Sequence, residues 1–230
     1  YINIDNIAFY SVAIFIATVI SVPSRAMHQI TYPITAKLMS ENKYDELNLL
    51  YKKTSITLQI VGGYVLLGIL INIKSVYSLL PIEYSGGITV VFLIGFSKYL
   101  DLILGNNNAI IFNSKYYKIV LMLGLLLAFF AITLNMILIP LYGIIGAAIA
   151  TLSAILLYSL AKLLFVVFQM KLFPFTVETL KSFGILLLSF GVFYFWDFNL
   201  HPIINIIFKS TILTVFFGFI NYYLKISPET

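Results

Sequence analysis

The stretch that decides the fold runs from Ile119 to Ala161, IVLMLGLLLAFFAITLNMILIPLYGIIGAAIATLSAILLYSLA, without a single charged residue. As one unbroken helix it would be about 65 Å long, roughly twice the ~30 Å hydrocarbon core of a bilayer. Pro140, Leu141, Tyr142 and Gly143 divide it into two apolar segments, each long enough to span. Pro140 and Gly143 make a tight turn. Gly146, Ala147, Ala148 and Ala150 then give the second segment a small-residue face that lets a neighbouring helix approach closely. The pattern predicts an antiparallel helical hairpin inside a membrane.

The rest of the chain has the same character. Of its 230 residues 61% are hydrophobic and 10% charged, with a mean hydropathy of +1.01. Soluble domains carry about 45–50% apolar and about 25% charged residues. There is too little polar surface here to cover a body in water. A soluble hydrolase, a secreted disulfide scaffold and a disordered tail are excluded together, and a polytopic membrane protein remains. The absence of Cys removes thiol chemistry and Cys-based metal centres. The net charge of +5 comes from scattered lysines with no basic stripe, which argues against nucleic acid as a partner. The chain opens Tyr1-Ile2-Asn3-Ile4-Asp5, without an initiator Met or a signal-peptide pattern, and reads as a portion of something longer.

Seven spans are expected. The first runs from Asn6 to about Leu38, with Pro23 and Pro33 inside it. Glu41–Lys53 is the only charge-dense stretch, and the spacing of Leu47, Leu50 and Tyr51 suggests a short amphipathic helix at the interface. Thr54–Ile73 forms the second span and Ile88–Phe112 the third. The hairpin supplies the fourth and fifth. Leu180–Trp196 and Ile203–Leu224 follow. Alternate loops differ sharply in charge. Lys37, Lys43, Lys52, Lys53, Lys115, Lys118, Lys171, Lys181 and Lys225 fall on one set and Lys74 alone on the other, beside Glu83 and Asp197. Lysine-rich loops face the cytoplasm, so the Glu41–Lys53 loop and the C-terminus are expected there.

Charged and polar groups within spans are expensive and each needs a reason. Ser21, Arg25, His28, Gln29 and Tyr32 fall at i, i+4, i+7, i+8 and i+11, a single stripe about 100° wide on a helix. One reading is a helix end whose Arg and His snorkel to headgroups. The other is a polar face on a water-filled cavity, where the planar guanidinium of Arg25 suits a phosphate or pyrophosphate. On the third span Lys98 and Asp101 stand at i and i+3, close enough to pair. Such a pair is either self-neutralising structure or a switch, with Asp101 taking up an ion and Lys98 freed to bind an anion. Asn106, Asn107 and Asn108 can cap or coordinate. No catalytic motif, metal-ligand cluster or cofactor-binding pattern is present, so an enzyme is not expected.

The run Asn135-Met-Ile-Leu-Ile-Pro140-Leu-Tyr-Gly143-Ile-Ile-Gly146-Ala147-Ala148-Ile-Ala150-Thr151 resembles the hairpin between the fifth and sixth helices of a repeat in the polysaccharide flippase branch of the multidrug/oligosaccharidyl-lipid/polysaccharide exporter superfamily. Pro23-Ser24-Arg25 with Gln29 and Pro33 is similar to the second helix of the same repeat. The resemblance covers about Tyr10–Phe168. It implies an all-α membrane bundle in which residues 1–170 form the second six-helix lobe, lacking its first helix. Residues 171–230 would be the extra helix pair found in some members, and an N-terminal half of the same protein would be the partner lobe. It further implies flipping of undecaprenyl-pyrophosphate-linked oligosaccharides across the bacterial cytoplasmic membrane by alternating access, for surface polysaccharide synthesis. Arg25 matches a position where such flippases place cavity cations, and His28, Gln29, Tyr32 and Lys98 are the other cavity candidates. Asp101 is the ion-coupling candidate.

Two alternatives stand beside this reading. A drug or cation antiporter of the same superfamily should show acidic rather than basic cavity residues, which Arg25 opposes. An integral-membrane polysaccharide polymerase should carry a large Arg-rich outer loop and an acyltransferase a His/Asp pair, and neither pattern is present.

Overall fold

The computed structural model describes residues 4–196, 198 and 200–224; Asp197 and Lys225 of the charge count lie outside them. The fold is all-α, with no strand among the described residues. Helix α1 (Ile4–Thr18) leads through a 3₁₀ turn into α2 (Val22–Ser40), followed by α3 (Tyr44–Tyr77), α4 (Gly87–Leu102), the short α5 (Asn107–Phe112), α6 (Lys118–Met170), α7 (Val177–Tyr194) and α8 (Pro202–Tyr223). Six helices are long and apolar enough to cross a membrane, and one of them, α6, is two spans in series. This is a multi-pass membrane protein.

Local chemistry explains the joints. Pro23 has no N–H for the carbonyl four residues back, and the chain tightens to 3₁₀ over Val19–Ser21 just before it. α2 stops at Asn42, whose left-handed φ of 57° lets the Lys43 N–H reach the Leu38 carbonyl at 2.9 Å. Lys171 ends α6 the same way, at φ 58°. Within α6, Gly143 has φ 59° and ψ −133°, a conformation essentially reserved for glycine. The chain reverses there. Gln169 donates to the Tyr116 hydroxyl at 2.7 Å, and a Cβ on Gly146 would lie 2.1 Å from the Leu138 carbonyl oxygen. Those pairings make 118–142 and 144–170 antiparallel neighbours, as the Pro140–Gly143 turn predicts. Asn135 donates its side-chain amide to the Ala131 carbonyl of its own helix at 2.7 Å.

Two expected boundaries are corrected. Glu41–Lys53 is not a separate interfacial helix: from Tyr44 onward it is the first part of α3, which continues unbroken to Tyr77. No Gly or Pro stands between Tyr44 and Gln59 to interrupt it, and its Leu47 and Tyr51 are buried. The span read as Ile88–Phe112 is interrupted between Leu102 and Asn107.

α3 is the central helix, contacting α2, α4, α7 and α8. Leu66, Leu67, Leu70 and Ile73 of α3 pack with Val90 and Ile94 of α4, Ala13 and Ala17 of α1, and Leu213 and Phe217 of α8. The alanine face of 144–170 lies in this body through Ala148, whereas no residue of 118–142 is buried. A helix apolar all round and buried nowhere is what lipid, not water, accommodates. One end of the bundle gathers residues 41–48, 113–118 and 169–173, joined by contacts such as the Phe173 N–H to Asn48 at 3.1 Å. The other end gathers residues 74–84, 194–196 and 200–205, with Lys74 over the Tyr194 ring at 5.3 Å. The lysine-rich loops of described residues up to Lys171 thus share an end.

Candidate functional site

The interruption between α4 and α5 is built by side chains. Gly105, at φ +57°, runs so close to α3 that a Cβ there would fall 2.7 Å from the Ser55 backbone nitrogen. Ser55 donates to the freed carbonyl of Ile103 at 2.6 Å. The Asn106 N–H reaches Thr54 Oγ1 at 3.2 Å, its side-chain amide donates to Thr35, and its Oδ1 lies 3.2 Å from the Thr31 hydroxyl. Asn107 donates to the Tyr51 hydroxyl at 2.7 Å. Irregular backbone at membrane depth survives only where protein or cavity water satisfies it; Thr54 and Ser55 of α3 bond the backbone here, and Thr31, Thr35 and Tyr51 hold the side chains of Asn106 and Asn107. Asn106 and Asn107 thus tie the break to α2 and α3.

Against this break lies a polar cavity of about 100 Å³. Ser21, Ser24 and His28 line it from the α2 side, Lys98 and Asp101 from α4, Asn108 from α5 and Lys162 from α6. The main ion pair is not the expected one. Asp101 Oδ1 accepts from Lys162 Nζ at 2.7 Å and from Ser159 Oγ at 3.1 Å, while Lys162 also reaches Asn108 Oδ1 at 3.2 Å and sits 4.3 Å from the centre of the Tyr158 ring. Lys98 makes no ion pair with Asp101. The reason is burial: Lys162 is 2% exposed, and a buried ammonium is tolerable only with several acceptors around it. Lys98 is only partly buried and lines the cavity without an ion pair among the described residues.

The stripe on the first span divides at this cavity. At about 100° per residue Ser24, His28 and Ser21 form one edge, Tyr32 the middle, and Arg25 and Gln29 the other edge. His28 lines the cavity, with a buried Nδ1 that has no hydrogen-bond partner, and packs edge-on against Tyr32 at 5.4 Å. Arg25 and Gln29, expected beside them, do not line it. Both are exposed, and Arg25 makes no hydrogen bond or ion pair with the described residues. The structure therefore brings together His28, Lys98 and Asp101, holds Tyr32 against His28, and leaves Arg25 and Gln29 on an open polar edge alongside.

Lys162, Ser159 and Tyr158 are the residues that sequence reading missed. Ending the fifth span at Ala161, where the charge-free stretch stops, hides a lysine that lies inside a helix continuing to Met170. The available signal was Ser159 and Lys162 at i and i+3 in an otherwise apolar helix. Comparison of the chain with protein-family models, with curated proteins and with solved structures yields no match.

Proposed function

We propose that this chain is a transporter lobe that moves a polyprenyl-pyrophosphate-linked oligosaccharide across the bacterial cytoplasmic membrane by alternating access, acting with a second lobe. The observation that carries the reading is the interrupted helix α4–α5, with Lys98, Lys162, Asp101 and His28 gathered at the interruption. Secondary transporters bind their charged substrates and coupling ions at such discontinuous helices. The cavity's two lysines outnumber its one carboxylate, which suits an anionic head such as a pyrophosphate. The open Arg25–Gln29 edge extends the polar surface outward, where Arg25 offers an unpaired guanidinium fork. Asp101 is the group proposed to exchange a coupling ion, since its side chain is 44% exposed while that of its partner Lys162 is 2% exposed. The lysine-rich end is assigned to the cytoplasm on the loop bias.

The test is made in cells that depend on this protein for surface polymer. Arg25→Ala and Lys98→Gln should each lower polymer export at least tenfold while the protein accumulates in the membrane at its normal level. Unchanged export by both variants would remove the cationic site from the mechanism. Drug efflux that survives the loss of polymer export would favour the antiporter reading instead.

A further inference from the structure

A second cavity, of about 410 Å³, opens at the lysine-rich end of the bundle beside the start of α6. Met39 and Met170 give it an apolar lining; Tyr44, Asn113, Lys115 and Gln169 give it a polar one. Tyr116 is fixed in its wall by the 2.7 Å hydrogen bond from Gln169 and by edge-on packing against Phe165 at 5.4 Å. Lys115 Nζ lies 5.1 Å from the centre of that Tyr116 ring, so the ammonium is held at the cavity.

The charges around it are unevenly matched. Lys43 donates to Glu41 at 2.8 Å, which holds that carboxyl below its usual range, and also pairs with Glu46 at 3.8 Å. Lys37 is 4.0 Å from Glu41. Those acids are therefore engaged on their own turn, whereas Lys115, Lys118 and Lys171 form no ion pair among the described residues. Exposed Phe112, Tyr117 and Phe168 stand next to them in sequence, the mixture of aromatic and cationic side chains that occupies the headgroup level of a bilayer.

We propose that this cavity binds the headgroup of an anionic phospholipid from the leaflet at that end, with Lys115 on the phosphate and Tyr44, Asn113 and Gln169 on its polar substituent. Basic pockets between helices at the cytoplasmic side take anionic headgroups. The volume falls within the about 300–1,000 Å³ of small-molecule sites and exceeds what a bare anion fills, and the methionine lining suits the glycerol and first acyl carbons. The site lies apart from the α4–α5 cavity and does not depend on the transport reading.

The experiment places the full chain in nanodiscs of phosphatidylcholine containing a minority of phosphatidylglycerol and identifies retained lipid by native mass spectrometry. Phosphatidylglycerol should be enriched over its bulk share. Lys115→Gln should lower that enrichment about fivefold, the equivalent of roughly 1 kcal/mol per lysine near a membrane surface. Lys115→Arg should keep it, and Lys74→Gln, at the opposite end, should leave it unchanged. Retention at the bulk ratio would overturn the proposal, as would an equal loss with Lys74→Gln, which signals diffuse attraction. Displacement by millimolar glycerol phosphate would also overturn it, by identifying a free-anion site rather than a lipid site. Melting of Lys115→Gln in pure phosphatidylcholine should match the parent chain; a lower melting point with Lys115→Arg equally depleted would assign the lysine to structure and defeat the proposal.

Discussion

Asp101 and Lys162 share one ion pair at 2.7 Å but not one environment, because the lysine side chain is 2% exposed and the aspartate side chain 44%. Removing one partner of a buried pair costs about 3–5 kcal/mol when the charge left behind is sealed from water. That range applies to Asp101→Asn, which strands Lys162. It must be discounted for Lys162→Met, which strands a carboxylate that cavity water can hydrate. The expected order of thermal stability is therefore parent, then Lys162→Met, then Asp101→Asn. The double variant should recover most of the gap between the last two. Equal single effects, or a double variant showing their sum, would deny that the pair is electrostatically asymmetric. At this scale the sequence was partly readable. The i, i+3 spacing of Lys98 and Asp101 marks a shared face, and both do line one cavity. What spacing cannot reveal is a partner 61 residues away, since that contact depends on how α4 and α6 pack.

Among the elements, glycine-dependent joints decide the shape, and two substitutions probe them. Gly146→Ala places a Cβ 2.1 Å from the Leu138 backbone oxygen. The two halves of α6 must then separate, at an expected cost of about 1–3 kcal/mol. Gly124→Ala, with nothing within 4 Å, is the matched control and should be neutral or slightly stabilising. Melting of the purified protein distinguishes them, and equal behaviour would mean the hairpin is not closely packed. Gly105→Ala should be worse still, because it combines a positive φ with contact to the Ser55 backbone, and it should reduce transport along with folded yield. The hairpin was legible because Pro140 and Gly143 act on the backbone locally. The α4–α5 break was not, because no proline marks it; hydroxyls of α2 and α3 bond its backbone and the amides of Asn106 and Asn107. The charged start of α3 misled in the opposite direction. Charge predicts solvent contact but does not end a helix, and Leu47 and Tyr51 continue the buried face of the span.

Across the whole molecule, the lysine bias of the loops corresponds to a physical end of the bundle, and that end should face the cytoplasm. The chain contains no Cys, so single-cysteine variants report without background. Asn48→Cys and Lys115→Cys should be protected from a membrane-impermeant thiol reagent in intact cells, and Glu83→Cys should react; the reverse pattern would invert the orientation. The all-α class and the count of apolar segments followed from composition and from span length, which depend only on bilayer thickness. The transport reading depends on whether the polar cavity at the α4–α5 break meets water on each side in turn, and one measurement addresses it directly. In His28→Cys, labelling by an impermeant reagent is followed from each face of sealed membrane vesicles, with and without a polyprenyl-pyrophosphate-linked oligosaccharide. The expected result is reaction from one face in the resting protein and a substrate-dependent shift of reactivity toward the other. A cysteine that reacts from neither face under either condition would make the cluster a sealed structural core and contradict the account.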